Sequence, residues 1–294
     1  MKNRKYYLIF IASMILFGAI GILRKNIIYS SSLIAFVRAF VGSIFLLIIL
    51  LIKRINPFKN IGKKNLIMLM VGGASLTLNW VFLFEAFKRT TVSQTTLILY
   101  LEPTFVFLYF LIFEKEEANV KKIVCISLSL IGMVFMSGII GSGDIKTVDF
   151  VGLLFALIAS ILYSTLAVVN RKIEGIDNYQ KTFLELLFGF IILIPYVLIN
   201  HDFKGLEFDL KSVILLIISS VILTGFVYIL YFSSIGKIPS VSFSILSYID
   251  PITALILSIT ILKEKVTVFL IIGAILIIMS QIILEVNFKK TCEK

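Results

Sequence analysis

The chain has 294 residues, of which 59% are hydrophobic, and a formal net charge of +11. Its mean hydropathy is +1.06, whereas a soluble domain is nearer about 45–50% apolar and has polar residues to cover its surface. Composition excludes a soluble fold, and with it the nucleic-acid partner that so basic a chain would otherwise suggest.

A helical membrane span needs about 20 apolar residues, because a rise of about 1.5 Å per residue must cross about 30 Å of hydrocarbon. Ten such runs are predicted, at 6–23, 32–52, 66–87, 92–113, 120–138, 150–169, 182–199, 212–232, 240–262 and 266–285. The uninterrupted apolar stretch from Leu46 to Ile52 argues against the alternating pattern of a β-barrel. The first run follows Lys2, Arg4 and Lys5, as a signal peptide would, but it is long and carries no clear small-x-small cleavage site, so it is expected to be a retained helix. Cys125 falls in the fifth run and Cys292 in the tail, with no disulfide or metal-binding spacing. His201, the sole histidine, is expected in a solvated outer loop.

Basic residues gather on the cytoplasmic side of membrane proteins. With a cytoplasmic N-terminus, 18 Lys and Arg residues fall in inner segments and 9 in outer ones, and Arg38 lies within a helix. Arg24 and Lys25 are counted among the outer residues. The bias predicts both termini in the cytoplasm; the expected location is the cell (plasma) membrane.

The sequence repeats at about half its length. Tyr100-Leu101-Glu102-Pro103, followed by Lys115-Glu116, matches Tyr248-Ile249-Asp250-Pro251, followed by Lys263-Glu264, at an offset of 148 residues. At 147 residues Phe36-x-Arg38-x-x-x-Gly42 meets Phe183-x-Glu185-x-x-x-Gly189. The expected units are 1–140 and 148–287. Each holds five spans, and an odd number forces the second copy to insert upside down. The predicted fold is an all-α membrane protein of ten transmembrane helices in two inverted five-helix repeats, an architecture of secondary transporters with the substrate near the midplane.

On these features the chain resembles the drug/metabolite transporter superfamily, with two EamA-type repeats. The resemblance covers essentially the whole chain. It rests on the five-plus-five arrangement, on Pro103 and Pro251 in the fourth helix of each half, and on Glu116 and Glu264 after it. Ile272-Gly273-Ala274 fits the small-residue motif of the family's next helix, whereas Cys125 stands where Gly273 aligns. The resemblance implies a carrier of small metabolites, often an amino-acid or metabolite exporter.

An ionisable group at membrane depth costs about 2.5–3.5 kcal/mol on insertion scales, so each needs a reason. Glu102 and Asp250 sit at equal depth, near the bilayer centre. Pro103 frees the carbonyl of Leu99 and Pro251 that of Ser247, because proline cannot donate to the fourth residue before it. Two such acids suit a cation or proton site; the alternative is a structural hydrogen bond. Arg38 either grips a substrate carboxylate or snorkels to the outer interface. Glu185 is expected at the inner interface, and Glu85 in a local ion pair with Lys88 or Arg89. Asn79, Trp80, Tyr100, Tyr228, Tyr231 and Tyr248 are candidates to line an amphipathic cavity. Gly18, Gly42, Gly72, Gly73, Gly132, Gly189 and Gly273 are expected to allow close helix approach.

No Gly-x-Ser-x-Gly, His-Glu-x-x-His or Walker A motif is present, so neither an enzyme nor an ATP-driven pump is expected, and no motif calls for a cofactor or a metal. The leading expectation is a secondary transporter of amino acids or related amines, with the lipid bilayer as its surroundings and a proton as candidate coupling ion. The alternatives are an intramembrane enzyme or a non-transporting scaffold.

Overall fold

The computed structural model describes residues 4–59, 61–114, 120–136, 149–200, 202–203, 207–234 and 237–292, and these are helices joined by short turns. Glu116, His201 and the side chain of Cys292 lie outside the described residues, as does the stretch 137–148, which spans the boundary between the expected units.

The helices are α1 (Arg4–Gly18), α2 (Ile20–Lys25), α3 (Ser31–Ile52), α4 (Lys63–Arg89), α5 (Val92–Leu99), α6 (Glu102–Phe113), α7 (Val120–Met136), α8 (Phe150–Lys172), α9 (Asn178–Ile199) and α10 (Leu210–Ile218). A π-helical segment, Ser219–Phe226, leads into α11 (Val227–Ser234). Then come α12 (Ser240–Ser247), α13 (Ile249–Thr260) and α14 (Val268–Cys292). The capping signals are local. Ser30, Asp149, Asp177 and Asp209 each accept a backbone N–H of the first turn they precede, and Thr91 forms a capping box with Gln94.

Among the described residues, seven helical stretches are long and apolar enough to cross a membrane: Arg4–Lys25, Ser31–Ile52, Lys63–Arg89, Val92–Phe113, Phe150–Lys172, Asn178–Ile199 and Leu210–Ser234. Three shorter apolar helices accompany them, Ile123–Met136, Ile245–Thr260 and Val268–Ile283. Ile48, Leu51, Phe150 and Ile256 are all at least half exposed, which suits a surface solvated by lipid tails rather than water.

Two predicted spans differ in detail. The first is two helices, broken at Ala19, where Gly18 packs on α13: a Cβ there would stand 2.7 Å from the Asp250 carbonyl oxygen. The last continues to Cys292, past the expected end at 285. Arg24, counted above as an outer-loop charge, is buried in α2 and donates to the Ile27 carbonyl and the Ser31 hydroxyl.

Helices from the two halves interleave. α3 packs on α9 and α7 on α14, α4 packs on α8 and α9, and α1 packs on α11 and α13. Glycines permit these crossings. Gly42 faces Thr224 and Leu186, and 147 residues on, Gly189 faces Thr77, so one contact occurs twice at the repeat offset. Gly273 meets the Gly132 backbone, bringing α14 close to α7. Beside that crossing, Gln281 donates to Thr104 and Ser129, each at 2.7 Å, and ties α14 to α6 and α7.

Candidate functional site

The spans bearing Pro103 and Pro251 break where the sequence frees a carbonyl, whereas α9 runs unbroken through Pro195. α5 stops at Leu99 and α6 starts at Glu102; α12 stops at Ser247 and α13 starts at Ile249. The freed carbonyls are taken up by hydroxyls from elsewhere in the chain. Ser160 of α8 donates to Leu99 O at 3.0 Å, and Tyr100 donates to Ser247 O at 3.4 Å. Non-helical backbone at membrane depth is tolerated where protein or a cavity satisfies it, and here protein hydroxyls do so.

Between the two halves lies a cavity of about 480 Å³. Every residue named as a site candidate from the sequence borders it. Arg38 comes from α3, Asn79 and Trp80 from α4. Tyr100 lies at the first break and Glu102 just beyond it. Tyr228 and Tyr231 come from α11, Tyr248 lies at the second break, and Asp250 is in α13. The wall also includes Tyr163, Asn170 and Arg171 of α8 and Thr182 and Glu185 of α9, which the candidate list did not contain.

The individual geometries are specific. The Tyr100 hydroxyl donates to Asp250 Oδ2 at 2.7 Å, and the Tyr100 and Tyr248 rings lie 6.0 Å apart. Asn79 Nδ2 donates to the Ala159 carbonyl at 2.6 Å, so this amide also serves the packing of α4 on α8. Arg38 is buried and does not snorkel. Its Nε donates to Thr224 Oγ1 at 3.0 Å and its guanidinium lies over Trp80, 4.2 Å from the ring centroid. Its Nη1 has no partner among the described residues.

Glu185 corrects the expectation of an interfacial side chain: it is 3% exposed and borders the cavity. Depth along the helix suggested the interface, but α9 crosses α4 at Gly72 and Gly73, where absent side chains leave room for the carboxylate. A Cβ on Gly72 would stand 2.9 Å from Glu185 Oε1. Glu85 does pair with Lys88, at 3.2 Å, while Arg89 reaches Asp149 at 3.6 Å instead.

At one end the halves are laced together. Glu264 accepts the Val92 backbone N–H at 2.8 Å and the Ser93 backbone N–H at 3.4 Å, capping α5 from the other half. Ser258 also donates to Glu264, and the Ser93 and Ser258 hydroxyls lie 2.7 Å apart. The repeat-equivalent pair, α6 with α12, is not among the packed helix pairs of the described residues. There, Lys172 joins α8 to α6 through Glu114 at 2.7 Å and the Tyr109 hydroxyl at 2.9 Å.

Comparison with known proteins agrees with this architecture. The model of the EamA-like transporter family matches residues 4–138 and again 150–285. The uncharacterized transporter YxxF of Bacillus subtilis is 29% identical over 247 residues, covering 84% of this chain and 78% of the relative. An uncharacterized transporter of Clostridium kluyveri is 32% identical over 197 residues, covering 64% and 60% respectively. A solved crystal structure shares the fold with a TM-score of 0.66 at 14% identity, over 98% of each chain. The chain is a multi-pass helical membrane protein and belongs to the EamA-like transporter family, a family of membrane transporters.

Proposed function

We propose that the protein is a secondary transporter that moves small metabolites, amino acids or related amines, by alternating access across the cell membrane. In this reading the three shorter apolar helices also cross. That gives ten spans in two inverted five-helix repeats, 1–140 and 148–287, with both termini in the cytoplasm. Export is the direction that the family resemblance suggests, and a proton is the proposed coupling ion.

The observation that carries this reading is the cavity, which is walled by matched residues of both halves: Tyr100 and Tyr248, Glu102 and Asp250, Arg38 and Glu185. A site shared by two similar halves is what rocking of one half about the other requires. The wall carries charges of both signs beside aromatic faces, which suits a molecule with an amine, a carboxylate and an apolar part. A substrate bearing only negative charge fits less well beside three carboxylates.

The test is counterflow in proteoliposomes with labelled amino acids, amines, sugars and dicarboxylates. Accumulation of amino acids or amines is expected. Accumulation of sugars or dicarboxylates alone overturns the amine reading, and no accumulation of any solute overturns the transporter reading.

A further inference from the structure

Three buried polar atoms on the cavity wall have no hydrogen-bond partner among the described residues: Arg38 Nη1, Glu185 Oε1 and Asn170 Oδ1. The first is a donor on a cation; the other two are acceptors. An unpartnered buried charge is costly, and a partner of opposite sign recovers that cost. Asn170 hydrogen-bonds the Glu185 side chain, and Glu185 Oε1 and Asn170 Oδ1 stay open beside that bond; Asp250 accepts from Tyr100. Lys181, one turn before Glu185, directs its ammonium to the Asn170 carbonyl at 3.1 Å and not to the carboxylate. No Lys or Arg nitrogen forms an ion pair with Glu185 among the described residues.

The acceptor pair and the donor are set apart along the membrane. α3 and α9 run antiparallel: Gly42 faces Leu186, while Phe36 and Phe40 both meet Phe190, with ring centroids at 4.8 and 5.0 Å. In that register Arg38 stands level with position 190, five residues from Glu185. Five residues of helix are about 7.5 Å. α4 gives the same separation: the Glu185 carboxylate lies against Gly72, while the Arg38 guanidinium lies over Trp80, eight residues or about 12 Å further along that helix. Their charged ends are therefore too far apart for the adjacent ammonium and carboxylate of one α-amino group to meet both.

We infer that Glu185 and Asn170 form a subsite for an organic ammonium, and that Arg38 holds the carboxylate of the same substrate. The substrate class is then a zwitterion whose amine is remote from its acid, an ω-amino acid or an α-amino acid with a cationic side chain. This rests on the reading of the cavity as a transport site for amines and narrows it.

Trp80 is the sole tryptophan of the chain, and it lies under Arg38, so its fluorescence reports a carboxylate arriving there. The full chain, purified in detergent, is titrated with 6-aminohexanoate, hexanoate and hexylamine in a low-ionic-strength sucrose buffer free of organic amines, and with sodium chloride alone. The wild type is expected to bind 6-aminohexanoate at least tenfold more tightly than either of the others. Glu185→Gln should bring 6-aminohexanoate down to the affinity of hexanoate and leave hexanoate within twofold. Asn170→Ala should weaken 6-aminohexanoate at least threefold and spare hexanoate, and it decides the matter if Glu185→Gln is not monodisperse. Unchanged binding of 6-aminohexanoate in the variants overturns the subsite, as does equal wild-type affinity for 6-aminohexanoate and hexanoate. A fluorescence change with sodium alone that Glu185→Gln abolishes overturns it too, by giving the site to an inorganic cation. Vesicle flux separates the two readings. Selective binding without flux of any amine leaves the subsite standing and refutes amine transport. Amine flux that Glu185→Gln does not alter does the reverse.

Discussion

The Tyr100 hydroxyl lies 2.7 Å from Asp250 Oδ2, so a residue at the first helix break bonds the acid at the second. The same hydroxyl reaches Ser247 O, the carbonyl that Pro251 leaves without a donor. One side chain thus holds together the two irregular points of the fold, on the wall of the cavity that the halves share.

Removing that hydroxyl takes away the single O–H that Asp250 Oδ2, at 2.7 Å, and Ser247 O, at 3.4 Å, share. Tyr100→Phe is expected to lower unfolding stability in micelles by about 1–3 kcal/mol, the cost of an unsatisfied buried group. It is also expected to slow counterflow. Asp250→Asn, which keeps the shape and can still accept from Tyr100, should cost less stability but impair transport. Thermal unfolding and counterflow on the same preparations decide this; if both variants match the wild type in both assays, the bond has neither role.

Ser160 and Pro103 should be energetically coupled. Ser160 supplies the hydrogen bond that Leu99 O loses to Pro103. Ser160→Ala alone is expected to cost about 1 kcal/mol. In a Pro103→Ala background, where residue 103 can donate along the helix, the same change should cost less. A double-mutant cycle measures the difference, and strict additivity would show that Ser160 acts through something else.

The glycine crossings should be intolerant of side chains in proportion to what lies opposite. A Cβ on Gly189 would stand 2.7 Å from the Gly73 carbonyl oxygen, which is backbone and cannot yield. Gly189→Leu should reduce the yield of monodisperse protein severely, or cost at least about 1–3 kcal/mol by overpacking. Gly62, with nothing within 4 Å, is the control, and Gly62→Ala should behave as wild type. Equal behaviour of the two variants in size-exclusion profiles and thermal melts would contradict the packing.

Much of this was legible in the sequence because membrane folding leaves plain marks. Long apolar runs located the helices, and the matched Tyr-x-acid-Pro segments located both breaks and the carbonyls they free. Glu185 was misplaced because depth along a helix does not reveal where a neighbour lacks side chains, and only the crossing at Gly72 and Gly73 makes room for it. The break at Ala19 carries no proline; Gly18 beside it packs on α13, a contact between distant parts of the chain that no local pattern announces. The π-helical segment that presents Thr224 to Arg38 has no counterpart in α4, so the repeat could not announce it. The capping of α5 by Glu264 joins residues 172 apart in sequence, a distance at which no local signal operates.

Cys292 reports orientation. An excess of inner basic residues, 18 against 9, places the C-terminus in the cytoplasm in the proposed topology. An impermeant maleimide should label Cys292 in inverted membrane vesicles and not in intact cells. Cys125 is buried and should label slowly from either side, so Cys125→Ala leaves the signal unchanged. Labelling of Cys292 in intact cells would reverse the topology.

The end laced by Glu264 should have to open during transport. There α5 and α13 are joined by the Glu264 cap and by the Ser93 and Ser258 hydroxyls at 2.7 Å, while the equivalent α6 and α12 are not among the packed helix pairs of the described residues. If alternating access exchanges which end is laced, α5 and α13 must part once in each cycle. With Cys125→Ala and Cys292→Ala as background, Ser93→Cys and Ser258→Cys place two thiols where a disulfide of about 2.05 Å can form with little backbone movement. Oxidation is expected to abolish counterflow, and reduction to restore it to at least half of the background rate. Each single cysteine should be indifferent to the oxidant. A cross-linked protein, verified by mass, that transports as fast as its reduced form would mean that this end stays closed throughout, and that the cavity does not alternate between the two faces of the membrane.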